Sequence, residues 1–187
     1  MANHVGPFVF TEALRPLLEA TAKAHGDVRV CAVSSGAHKR ASIHHDDPFS
    51  PPSSGGTFAG PYGQSKLAQI MHMRALQARM RASSALSGEQ AVRCVAVTPG
   101  FAWTNITPGI PLPLRPLVWL LARSAHVGAQ VIKQACLDPL LPGGSYLSNC
   151  YIKPTEGRDN LSNQPDEWER CWETTLSSVL KAEARFP

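Results

Sequence analysis

No run of apolar residues in this 187-residue chain reads as a membrane span. The best candidate, Leu112 to Leu121, is short and interrupted by Pro113, Arg115 and Pro116. Charge of one sign is not gathered anywhere either. The net charge of +4 is diffuse, and Lys39-Arg40 with the scattered arginines forms no stripe, which argues against nucleic acid as a partner. Five cysteines (Cys31, Cys94, Cys136, Cys150, Cys171) lie far apart with no Cys-x-x-Cys spacing. Reduced, buried thiols and an intracellular setting, in the cytoplasm or on the cytosolic side of a membrane, are therefore expected. His44-His45-Asp46-Asp47 has no matching ligands elsewhere, so it reads as a solvated turn and no metal is expected. No signal peptide is visible and no internal repeat breaks the chain, which reads as one domain over residues 1–187.

What is present is an alternation of helices and short β-branched runs. Asn3-His4-Val5-Gly6 opens a helix that runs to about His25 and stops at Gly26, with Phe8, Phe10, Leu14, Leu17 and Leu18 on its apolar side. Val28 to Val33 reads as a buried parallel strand ending in Ser34-Ser35-Gly36. His38 to Pro61, rich in Pro, Ser, Gly and His, reads as a long surface loop. A helix from about Pro61 to Ala82 follows, packing Leu67, Ile70 and Met71 inward. Ala91 to Val97 forms a second strand, closed by Thr98-Pro99-Gly100. A helix from about Ala125 to Leu137 presents Val127, Val131, Ile132 and Ala135. A short strand at Ser145 to Ser148 precedes a last helix, about Pro165 to Lys181, striped by Trp168, Trp172, Leu176 and Val179.

The chemistry centres on Tyr62-Gly63-Gln64-Ser65-Lys66, entered through Pro61. A Tyr and a Lys four residues apart share one helix face, so the ammonium can reach the phenol. A phenol titrates near 10, too high for much proton exchange at neutral pH, and a neighbouring cation favours the phenolate. Ser35 would stand beyond the carboxyl end of its strand, where ligands sit in open α/β sheets.

An Asn-x-x-Gly helix, a strand ending Ser-Ser, Tyr-x-x-x-Lys, and a strand ending Pro-Gly with Thr104 nearby occur in that order. Together they resemble the C-terminal half of a short-chain dehydrogenase/reductase, closest to retinol-dehydrogenase-like members. Gly128-Ala129-Gln130, Gly143 through Cys150 and the Trp-bearing last helix extend the resemblance over nearly the whole chain. It implies a truncated, Rossmann-like (doubly wound) parallel sheet of about three strands with flanking helices. It also implies hydride transfer between NAD or NADP and a hydrophobic alcohol or its carbonyl. Tyr62 would be the acid or base; Lys66 would assist it and hold the nicotinamide ribose. Ser35 would bind the substrate oxygen, and Asn3 would order a water leading from Lys66 to solvent. Pro99, Gly100 and Thr104 would line the nicotinamide side. Asn3 could equally cap its helix, and Ser34 reads as a strand-end residue only.

The family's strand, Gly-rich turn and phosphate-binding helix have no counterpart here. Gly55, Gly56, Gly60 and Gly63 follow a Pro/Ser loop rather than a strand, so they fail the test for a phosphate turn. The residue that would choose between NAD and NADP belongs to that absent part. Two readings follow. One is an oxidoreductase represented by its catalytic half, inactive without the rest. The other is a non-enzymatic short form binding a partner through the open sheet edge, self-association included. Leu112 to Leu121 likewise admits a substrate lid with an apolar underside or a shallow membrane contact through Trp119 and its neighbouring leucines.

Overall fold

The computed structural model describes residues 3–46, 60–82, 92–101, 122–154 and 158–184. Thr104, the segment Leu112 to Leu121 and most of the loop before Pro61 lie outside the described residues. Helix α1 (Val5–His25) leads into β1 (Val28–Val33) and a 3-10 turn (Gly36–Arg40). Helix α2 (Pro61–Ala82), β2 (Val92–Thr98), α3 (Ala125–Leu137), β3 (Tyr146–Ser148), β4 (Tyr151–Ile152) and α4 (Pro165–Glu183) follow. Gly26, with φ of 89°, ends α1 by bonding its N–H to Ala22 O at 2.9 Å.

The sheet runs β1-β2-β3-β4. Strands β1 and β2 pair in parallel from Val28 opposite Val92 to Val33 opposite Val97, and β2 pairs in parallel with β3. The three expected parallel strands are therefore joined by a fourth, antiparallel one, which pairs Leu147 with Ile152. The turn between β3 and β4 places Asn149 and Cys150 at φ of 56° and 63°, the double left-handed geometry of a tight hairpin. Helices cover both faces, giving a Rossmann-like α/β architecture. One layer buries Phe8, Ile70, Met73, Leu76 and Trp172 against Val92, Cys94 and Ala96. On the other, Val131 and Ala135 of α3 pack on Val95, Val97 and Leu147.

Strand β3 is too short to pair the first half of β2, and α2 supplies the substitute. Gln77 accepts from Cys94 N at 2.8 Å and donates to Val92 O at 3.3 Å, satisfying backbone groups that would otherwise be buried without partners. A side chain at Gly143 would collide with that same amide, which is why a glycine sits there.

Four sequence expectations need correction. Phe10 and Leu17 are not core residues: they are 66% and 62% exposed, because only the Phe8 face of α1 meets the sheet layer. Val127 of α3 and Leu176 of α4 are exposed too, since each sits beyond the edge of what its helix covers. The loop after β1 does not start on the surface, for His38 and Ala41 are buried, His38 stacking edge-on against Tyr146 at 5.1 Å. Finally, His45 is not a solvated turn residue but bonds Glu167 through Nε2 at 2.9 Å, pinning the loop to α4.

Where α1, α2 and α4 meet, His4, Phe8, His72 and Trp172 form a buried aromatic nest. His4 Nε2 bonds the Thr175 hydroxyl at 2.9 Å, while His4 Nδ1 and His72 Nε2 find no partner among the described residues. Burial pushes His4 down from its ordinary 6.5 to about 4. Burial, helped by His4 and Arg79, pushes His72 down to about 3. The folded chain thus resists a protonation that the unfolded chain accepts. The stability contributed by these neutral rings is complete above pH 6.5 and is lost as pH falls toward 4 and then 3. Thermal melts should show Tm falling from pH 7 to pH 5, before most carboxylates titrate, and His72→Phe should flatten that slope. Phe8→Ala should cost about 3–5 kcal/mol in urea unfolding, and Phe10→Ala under about 0.5 kcal/mol; equal costs would mean that α1 packs by its other face.

Candidate active site

Of the residues singled out by sequence, Tyr62, Lys66, Ser35, Pro99 and Gly100 come to the carboxyl ends of β1 and β2. Tyr62 is the second residue of α2 and Lys66 stands one turn on, its Nζ 5.6 Å from the centre of the Tyr62 ring. That separation puts the ammonium within electrostatic reach of the aromatic face. The Lys66 ammonium donates to Val33 O, the last carbonyl of β1, at 2.8 Å and to Gln69 Oε1 at 3.3 Å. An ammonium has three protons, so one is left among the described residues for a ligand. Lys66 is half-buried, and that burial lowers its pKa from the ordinary lysine value.

Strand and helix are bonded in both directions. The Ser34 hydroxyl donates to Lys66 O at 2.7 Å and the Ser34 N–H to Val97 O at 2.7 Å. Ser34 is therefore more than a strand end: it holds the first turn of α2 on the sheet. Ser35, next along, caps the 3-10 turn by accepting from Ala37 N at 3.3 Å. A hydroxyl that accepts at its oxygen keeps its proton to donate, the role a carbonyl or alkoxide oxygen needs.

Asn3 does not cap α1, since the capping position is His4. Its backbone carbonyl instead accepts from Gln69 Nε2, and the other end of that amide is bonded to Lys66. Gln69 thus bridges Lys66 to Asn3, and sequence reasoning missed it. The available signal was a polar residue three places after Lys66 within an otherwise apolar, buried stretch of α2.

Pro99 and Gly100 follow β2 on the same edge. Gly100 takes φ of 80°, and a Cβ there would stand 3.4 Å from the Arg123 guanidinium. Arg123 was also missed. It bonds Asn149 in the β3–β4 turn and, through its N–H, Phe101 O at 2.9 Å. Pro99, Arg123, Val127 and Asn149 line a small depression beside the strand ends.

Tyr62, the spare Lys66 proton and the side-chain-free backbone at Gly100 suit the nicotinamide-ribose end of a dinucleotide. The described residues include no Gly-rich turn from a strand into a helix that would take its phosphates.

No protein-family model matches the chain. It is 31% identical over 184 residues to dehydrogenase/reductase SDR family member 13 of Bos taurus, covering 92% of this chain and 44% of that protein. The chain belongs to the short-chain dehydrogenase/reductase family. Similarity to short chain dehydrogenase/reductase dpchH of Colletotrichum higginsianum is 36% over 140 residues, 68% of this chain and 34% of that one. A crystal structure of an uncharacterized protein from Mycobacterium paratuberculosis superposes with a TM-score of 0.64 at 28% identity, covering 94% of this chain and 56% of that one. The chain spans less than half the length of these curated relatives, matching their C-terminal part.

Gly100→Ala should cost about 1–2 kcal/mol, the strain of a left-handed backbone at a residue with a Cβ. Chemical denaturation measures it, and a neutral substitution would mean that the Gly100 turn is not formed.

Proposed function

We propose that this chain is the catalytic portion of an NAD(P)-dependent oxidoreductase that interconverts a hydrophobic alcohol and its carbonyl. The observation that carries the reading is the Tyr62–Lys66 pair, with the ammonium 5.6 Å from the ring and bonded to the end of β1. In carbonyl reduction Tyr62 donates its phenolic proton to the substrate oxygen, and in alcohol oxidation it accepts one. Lys66 favours the phenolate by its charge and turns its third N–H toward the ribose. Ser35 donates to the same substrate oxygen, and Gln69 holds Lys66 in register with Asn3. The dinucleotide, when bound, supplies or accepts the hydride. Gly100 gives it a side-chain-free approach beside Pro99, and the family resemblance adds Thr104, which lies outside the described residues.

A greasy substrate of the retinol-dehydrogenase kind is supported by the leucine-rich stretch after Thr104 in the sequence. An intracellular setting rests on the five dispersed thiols. Among the described residues no helix is long and apolar enough to cross a membrane.

A second reading has an observation of its own. Strand β1 pairs on one side only in the described sheet, and beside it α1 and β1 frame a cleft lined by Phe10, Leu14, Leu18, Val30 and Met73. Such an edge can accept a strand from another chain.

The two readings separate by experiment. Titrated with NADH and NADPH and followed by fluorescence, the 187-residue chain should show no saturable micromolar binding, because the described residues include no turn that would take the phosphates. Joined to a dinucleotide-binding half, it should turn over. There Tyr62→Phe should lower kcat by about 10²–10⁴-fold while cofactor affinity stays nearly unchanged. Full activity of the Phe variant would overturn the assignment of Tyr62.

A further inference from the structure

We propose that Cys31 and Cys136 are a reversible dithiol–disulfide pair that staples α3 to the edge strand β1. Cys31 stands mid-strand on the face of β1 that packs against Val95, Val97, Val131, Ile132 and Ala135. Cys136 follows Ala135 in the last turn of α3, and Arg29 fastens that turn to β1 by donating to Ala135 O at 3.0 Å. Arg29 and Cys31 lie two residues apart on that face of the strand, so the Cys31 side chain sits beside the turn that carries Cys136. Core packing accounts for Cys94 and Cys171, which are buried, but not for Cys136, which is exposed to solvent. The arrangement is an accessible sulfur backed by a shielded one from a distant part of the chain.

The oxidant is a small-molecule disulfide such as glutathione disulfide. The Cys136 thiolate attacks one of its sulfurs, the S–S bond breaks, and one small thiolate leaves and takes up a proton. Cys31 then gives up its proton and attacks Cys136 Sγ, expelling the second small thiol. Two cysteine thiols lose two electrons and two protons, and one small disulfide becomes two thiols. Burial, with Cys136 adding to it, pushes the Cys31 thiol up to about 12, so this closing step is slow at neutral pH and quickens as pH rises. The bond would hold the last turn of α3, while the first turns of that helix border the depression beside Pro99 through Val127 and Gln130.

The test is oxidation of the 187-residue protein with glutathione disulfide at pH 7, 8 and 9, followed by alkylation, digestion and mass mapping. The expected product is a Cys31–Cys136 linked peptide, two hydrogens lighter than the reduced pair of peptides, forming faster at each higher pH. Cys150, exposed on the β3–β4 turn, should carry only glutathione. Tm should rise by on the order of 5 °C on closure and return on reduction with dithiothreitol. Cys136→Ser should abolish both the link and the Tm shift without changing the reduced Tm. A glutathione adduct that persists on Cys136 without closing, or a link through Cys150 instead, would overturn the proposal.

Discussion

The two-way bonding between the end of β1 and the first turn of α2 is the constraint on which the site depends. Lys66 reaches back to Val33 O, and Ser34 reaches forward to Lys66 O. Each bond uses a carbonyl that secondary structure leaves with spare capacity, one at a strand's end and one inside a helix whose oxygen has a second lone pair. A charge-assisted bond of this kind contributes about 1.5–3 kcal/mol and the neutral one about 0.5–1.5 kcal/mol. Their larger effect is geometric. Tyr62 lies four residues before Lys66 on one helix, so fixing the lysine on the strand fixes the phenol over the strand end as well.

Helix α2 can serve this way because it is enclosed on almost every side, by the sheet beneath and α4 above. A helix so placed needs no amphipathic stripe, and its buried polar residues need internal partners. Gln77 finds them in β2 and Gln69 in Lys66 and Asn3. The glutamines are therefore structural fixtures. One substitutes for missing strand pairing and the other holds Lys66 in the candidate site.

That division explains what could be read from the residues beforehand. The start of α2 was legible because Pro61 opens a helix, a local signal, and the limits of α3 matched the apolar period from Ala125 to Leu137. The presence of β1 and β2, though not their pairing, followed from β-branched runs ending in Ser-Ser and Pro-Gly. The roles of Gln69, Gln77 and Arg123 were not legible, since each depends on a partner that is distant in sequence or reached only through the fold. The inward face of α1 was misread for a related reason. Periodicity places Phe10, Leu14 and Leu17 on one side, but it cannot say whether anything covers that side. His45 was misread because Glu167 lies far along the chain.

In the proposed reading, proton handling and cofactor capture are separable. The bonds that orient Lys66, and through it Tyr62, come from β1, α1 and α2 themselves, and Ser35 is held by its own turn. None of them crosses the open side of β1. The acid–base geometry therefore does not require a strand on that side. In the proposed reading, dinucleotide affinity draws on such a neighbour, because the phosphates carry most of the charge and bind best at a helix N-terminus beyond a Gly-rich turn. The bonds of the candidate site thus stand without a strand on that side, as the proposed division between acid–base groups and a cofactor-binding segment requires. Among the described residues β1 pairs on one side only, and its other edge is where such a segment would join.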